Sequence, residues 1–128
     1  MDIINSIVKN VIENTEIVTI ATNGEQGPHL VATWGDFVNS LYISDGKTIL
    51  IPAGGYSLTE KNLKEDDRVE LLMGSKKVQG KNGLGTGYRL SGHARIVIEG
   101  KYFDLVKSNF PWARAALIIE VEKAEQLL

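Results

Sequence analysis

Residues Lys81–Glu99 read KNGLGTGYRLSGHARIVIE, and the fold turns on whether the glycines at 83, 85 and 87 open a helix or feed a strand. A dinucleotide-binding turn needs the helix, because the pyrophosphate sits on its N-terminus. Here Tyr88, Leu90, Gly92, Ala94, Ile96 and Ile98 fall on one side and Arg89, Ser91, His93 and Arg95 on the other. That two-residue period predicts a half-buried strand over Tyr88–Ile98. The G-x-G-x-G spacing also lacks the last glycine of the fingerprint, so a dinucleotide fold is excluded.

Working outward, the same alternation recurs. Glu16–Thr22 and His29–Val38 read as strands around the turn NGEQGP, and SLYIS and KTILIPA as a second hairpin about Asp45-Gly46. Arg68–Met73 is a further strand, followed by a glycine-rich loop. Ala115–Val121 closes the sheet with a continuous apolar run suited to burial on both faces. Helices are fewer. Ile3, Ile4, Ile7, Val8, Val11 and Ile12 share one face over Asp2–Asn14. Ser57 followed by Glu60 reads as a capping box with Ser57 as N-cap, and Lys101–Asn109 forms a helix ended by Pro111. The expected fold is mainly β, six or so antiparallel strands in a closed or nearly closed barrel with a few short helices in one domain spanning 1–128, because closure removes sheet edges.

Composition narrows the function classes. The chain has 128 residues, 43% of them hydrophobic and 23% charged, with a formal charge of −2 and no cysteine. Thiolate chemistry, disulfides and cysteine-held metals are excluded, and His29 and His93 lack ligand spacing. No apolar run reaches membrane-spanning length and the start is amphipathic, so a cytoplasmic protein without membrane or nucleic-acid partners is expected. Between Glu70 and Glu99 there is no acid, while Lys76, Lys77, Lys81, Arg89 and Arg95 occur, a pattern equally suited to a solvated face and to an anion site.

Three stretches carry chemistry. In Pro52–Asn62, PAGGYSLTEKN, the pair Gly54-Gly55 admits a ligand against the main chain, and the following helix directs free N–H groups at it. Thr33 and Trp34 offer a hydroxyl beside a flat apolar surface, and Gly74–Gly87 joins lysines to five glycines. No nucleophile, base and orienter stand together, so any chemistry must come from a cofactor.

The segments IATNGEQGPHLVATW, IPAGGYSLTEKN, GSKKVQGKNGLGTG and WARAALIIEVEKAEQLL, in this order, resemble the FMN-binding split-barrel flavoproteins related to pyridoxamine-phosphate oxidases. The resemblance implies a six-stranded antiparallel split barrel, a homodimer, and one noncovalent FMN per subunit near the interface. It places Thr33 and Trp34 beside the phosphate and ring, and Pro52, Ala53, Gly54, Gly55, Ser57 and Thr59 along the wall and phosphate turn. Gly74, Ser75, Lys76, Gly85 and Thr86 lie along the flavin, with Trp112 and Leu128 covering the partner subunit's. The family carries a lysine where Leu58 stands and asparagines where Ala32 and Gly35 stand. Lys61, or Lys76 and Lys77, are the candidates to replace that charge. The implied function is redox, as an electron carrier or small flavin reductase with an unknown redox partner. The alternatives are a pyridoxamine-phosphate-oxidase-type enzyme, or a barrel that has lost FMN and serves as an interaction module.

Overall fold

The computed structural model describes residues 3–41 and 44–128. Six antiparallel strands form one sheet: β1 (Ile17–Gly24), β2 (Gly27–Trp34), β3 (Thr48–Ala53), β4 (Arg68–Gly80), β5 (Gly83–Val97) and β6 (Ala115–Gln126), in the order β2-β1-β4-β5-β6-β3. Four short helices accompany them: α1 (Ser6–Asn14), α2 (Gly35–Asn39), α3 (Ser57–Glu65) and α4 (Lys101–Asn109). The ladder ends at β2 on one side and β3 on the other. This is the expected mainly β split barrel, with the split between those two strands.

The core follows from alternation. Val18, Ile20, Val69, Leu71, Met73 and Leu90 face one interior, and α1 adds Val8, Val11 and Ile12 to it. Along β3 and β6 both faces are buried. Ile49, Ile51, Leu117 and Ile119 enter that interior, while Leu50, Ala116 and Ile118 face a second cluster with Val106 of α4. The unbroken apolar run of β6 therefore reads as anticipated. The N-cap of α1 is Asn5, whose side chain accepts from the Ile7 and Val8 N–H groups at 3.0 Å, so the helix starts later than its apolar residues suggest.

Four local expectations are corrected. First, the strand read over His29–Val38 stops at Trp34. The Gly35 N–H donates to the Glu16 carbonyl, and a Cβ at Gly35 would overlap the Thr15 carbonyl oxygen, so the chain turns there into α2. Second, β3 pairs with β6, and Ser40, Leu41 and Ser44 lie in turns; Tyr42 and Ile43 of the SLYIS reading fall outside the described residues. Third, the glycine-rich loop is strand. β4 runs on to Gly80 and β5 begins at Gly83, closing a hairpin whose register shifts between Ser75 and Gln79, which leaves Lys76–Val78 opposite Gly85. Fourth, Ser57 is the first residue of α3 and not its cap. Tyr56 holds that place in a left-handed conformation, φ 68° and ψ 30°, with no side-chain cap.

Candidate functional site

The split in the barrel makes the site. Ala32–Trp34 from β2, Phe37 from α2, Pro52 from β3, Gly54, Gly55 and Tyr56 just after that strand, and Trp112 line one cleft of about 450 Å³, within the range of small-ligand pockets. Thr33, Trp34, Pro52, Gly54, Gly55 and Trp112, named from sequence, are thus brought together. The Trp112 ring lies over Gly54, 3.3 Å from where a Cβ would stand. Phe37 and Phe110 prop that ring with centroids 5.5 and 5.7 Å away, and touch each other edge-on at 5.2 Å. Both tryptophans remain more than half exposed, Trp34 at 58% and Trp112 at 53%, which leaves large apolar surfaces open in the cleft.

One end of the cleft is polar. α3 starts beside Gly55, and its first intrahelical bond runs from the Glu60 N–H to the Tyr56 carbonyl, so the N–H groups before it have no partner within the helix. No side chain caps them. Thr59, on this first turn, is fully buried, and its hydroxyl has no hydrogen-bond partner. A buried orphan hydroxyl is destabilising unless something completes it. Tyr56 bridges the split: its phenol donates to the Ala32 carbonyl at 3.3 Å. Burial pushes that phenol up, opposed by its hydrogen bond with Thr33.

The cations are arranged differently from the sequence expectation. Among the described residues, no lysine or arginine lines the cleft. Lys61 and the half-exposed Leu58 line a separate recess with His29 and Asn62, and Lys76 and Lys77 sit on the β4 irregularity. The charge that reaches the turn is Arg114, whose Nε and Nη2 donate to the Gly55 carbonyl at 3.0 and 2.6 Å, and whose Nη2 also meets Glu60 at 3.1 Å. Its own N–H donates to the Ala53 carbonyl at 2.8 Å. Arg114, Tyr56, Phe37 and Phe110 were absent from the sequence-derived set. Arg114 is 59 residues from Gly55, and only the pairing of β3 with β6 makes them neighbours.

The remaining candidates cluster elsewhere. Gly74, Gly87, Leu127 and Leu128 line an apolar groove with Leu72, and Ile17 belongs to both groove and cleft. The Thr86 hydroxyl donates to the Leu128 carbonyl at 2.8 Å, which docks the C-terminus beside the β4–β5 hairpin. The Ser75 hydroxyl accepts from the Lys77 N–H. Within the chain, Trp112 and Leu128 therefore occupy different recesses.

A second polar cleft, between β1, β4 and β5, contains His93, Arg68 and Glu122. Both ring nitrogens of His93 are committed: Nδ1 lies 2.6 Å from Asp67 and Nε2 3.0 Å from Glu122. The hydrogen bond to Asp67, then the charges of Asp67 and Glu122, raise the imidazole above its ordinary 6.5. A raised folded-state value means that His93 stabilises the fold fully below its unfolded value and loses that contribution as pH rises through the folded one. His93→Gln is accordingly expected to lower the urea midpoint more at about pH 6 than at about pH 9. A gap of equal size at both values would show that the imidazolium does not clamp these strands.

The comparisons agree with this geometry. The sequence profile of the family described as pyridoxamine 5'-phosphate oxidase matches residues 5–127. A protein named FMN-binding protein from Nitratidesulfovibrio vulgaris (strain DSM 19637 / Miyazaki F) is 47% identical over 118 residues, covering 92% of this chain and 93% of that protein. Among solved structures, HupZ of Group A Streptococcus superposes with a TM-score of 0.71 at 25% identity, covering 93% and 90% of the two chains. An FMN-binding protein from Syntrophomonas wolfei subsp. wolfei gives 0.66 at 18% identity, covering 95% and 84%, a likeness of fold alone. By its profile match and its 47% identical relative, the chain belongs to the pyridoxamine 5'-phosphate oxidase family.

Proposed function

We propose that the chain binds FMN in the cleft between β2 and β3 and acts in redox chemistry, as an electron carrier or a small flavin reductase. One observation carries the reading: the apolar cleft that contains both tryptophans of the chain ends at Gly55 and Tyr56, where α3 starts uncapped, and the first turn of that helix holds the buried, orphaned hydroxyl of Thr59. A planar ring satisfies the cleft and a phosphate the helix start. The relative from Nitratidesulfovibrio vulgaris, named for FMN binding, supports the same ligand.

FMN supplies one- and two-electron transfer when bound. The chain's residues position and shield it. The first-turn N–H groups of α3 and the hydroxyls of Thr33 and Thr59 hold the phosphate, with Gly54 and Gly55 allowing close approach. Trp34, Phe37, Pro52 and Trp112 keep water from the ring faces, and this low-dielectric surround opposes added charge on the ring. The exposed apolar strip of Ile17, Trp34, Leu72, Leu127 and Leu128 supports a homodimer. Because groove and cleft adjoin at Ile17, a second copy laid on this strip brings its Leu128 and Gly74 toward the flavin. Turnover of a phosphorylated substrate in the manner of the family's namesake is disfavoured, since a second phosphate finds no cation lining the cleft.

The test is the absorption spectrum of the purified protein, alone and with FMN added, together with its light-scattering mass. A bound-flavin spectrum that bleaches on chemical reduction, in a particle of two chains, is expected. Colourless protein that leaves added FMN fluorescence unquenched overturns the FMN reading, and a single-chain mass overturns the dimer.

A further inference from the structure

We propose that Arg114 is a positioning residue that makes the turn at Gly55 selective for a phosphorylated flavin, an inference that rests on the FMN reading above. Three observations lead to it.

The first is the grip itself. Arg114 places two donors on one carbonyl, that of Gly55, and completes the contact through Glu60. A guanidinium fork of this kind fixes direction as well as distance. The second is peptide planarity. The Gly55–Tyr56 bond is trans, so a carbonyl drawn toward Arg114 turns the Tyr56 N–H the opposite way, away from the guanidinium. Tyr56 is held in that orientation at its far end too, by its phenol on the Ala32 carbonyl. Its left-handed backbone, unfavourable for a non-glycine residue, persists because both ends are fixed.

The third concerns Thr59. A helical threonine ordinarily gives its hydroxyl to the carbonyl three or four residues earlier. For Thr59 these are Tyr56, whose carbonyl accepts the Glu60 N–H, and Gly55, whose carbonyl already accepts both Arg114 donors. The hydroxyl is left buried without a partner. Arg114 thus acts twice: it aims a main-chain donor, and by occupying the Gly55 carbonyl it keeps the Thr59 hydroxyl available for a ligand oxygen. No charge at position 58 is required for this, and Leu58 faces a different recess.

The roles of Arg114 and Thr59 are therefore coupled, and a double-mutant cycle measures the coupling. FMN and riboflavin are titrated against the parent, Arg114→Met, Thr59→Val and the double variant. Each single change is expected to weaken FMN about tenfold or more while riboflavin changes by less than about twofold, and the double variant should resemble the weaker single one. Additive losses, parallel losses of FMN and riboflavin, or unchanged FMN affinity in Arg114→Met would each overturn the proposal. Should Arg114→Met not fold, Arg114→Lys, which keeps the charge and loses the fork, takes its place in the cycle with the same expectations and the same overturning results. A parent protein that binds no FMN defeats the functional reading itself, whereas FMN-binding parent protein with additive losses defeats only the role of Arg114.

Discussion

In Thr59→Val we expect a flavin-free protein that is harder to unfold and poorer at holding FMN. The substitution replaces a buried, unpartnered hydroxyl with a methyl group of nearly the same volume, on the same branched frame and at similar helix propensity. Burying a hydroxyl without a hydrogen bond is unfavourable by about 1–3 kcal/mol, so its removal relieves the empty protein of a penalty of that order. For a domain of this size that corresponds to a rise of roughly 3–5 °C or more in melting temperature. The same hydroxyl is what the phosphate would meet, and its loss weakens FMN about tenfold. Calorimetry without ligand and fluorescence titration with FMN give the two numbers. A less stable variant, or one with parental affinity, would show that the hydroxyl has a partner in solution and does not serve the ligand. The opposite signs separate this outcome from ordinary damage to the core, which lowers both quantities.

Gly92→Ala is expected to be strongly destabilising. Gly92 is buried in β5 with Val69 of β4 on one side and Val121 of β6 on the other. A Cβ there would overlap the Glu120 carbonyl oxygen and stand 2.9 Å from the Glu120 carbonyl carbon and 3.0 Å from the Val121 Cα. All of these are main-chain atoms of the neighbouring strand, so no rotamer change relieves the clash. The pairing register also shifts here, with Ser91 opposite Lys123 and Gly92 opposite Val121, which leaves Glu122 unpaired in the ladder and free to reach His93. Accommodating the methyl means separating β5 from β6 at that irregularity, a loss of about 3 kcal/mol or more and about 10 °C in melting temperature. A midpoint within about 2 °C of the parent would mean that the two strands can part without loss.

What was legible in the sequence depended on how far each signal reached along the chain. The period of Tyr88–Ile98 excluded a dinucleotide fold, and the apolar run of Ala115–Ile119 located a strand covered on both faces, because these patterns are written within a few residues. The errors arose where a distant contact overrode a local rule. Trp34–Val38 continued an extended pattern until Gly35 met the Thr15 carbonyl from a different segment. Ser57 and Glu60 had the spacing of a capping box, yet Tyr56, tied to β2, sets how the chain enters α3, and Glu60 turns to Arg114. Lysines and glycines around Lys76–Gly87 lowered the apparent tendency to form strand, which the β4–β5 ladder restored.

For the candidate site the same distinction holds. Thr33, Trp34, Pro52, Gly54, Gly55 and Trp112 were found because their segments carry a resemblance and their chemistry is recognisable one by one, and they do share a cleft. The charged group at the turn was sought at Lys61, Lys76 or Lys77, near in sequence or rich in charge. Arg114 gave no such signal: it lies between Trp112 and an apolar strand, and its relation to Gly55 exists only after β3 and β6 have paired.

The open seam between β2 and β3 has a consequence for how such a fold diverges. Main-chain bonds fix the spacing of every other adjacent pair in the ladder, but across the seam the span is held by side-chain struts such as the Tyr56 phenol. Point substitutions there can widen, narrow or re-line the opening without touching the ladder that keeps the protein folded. One scaffold can in this way be refitted for new guests while its frame stays unchanged.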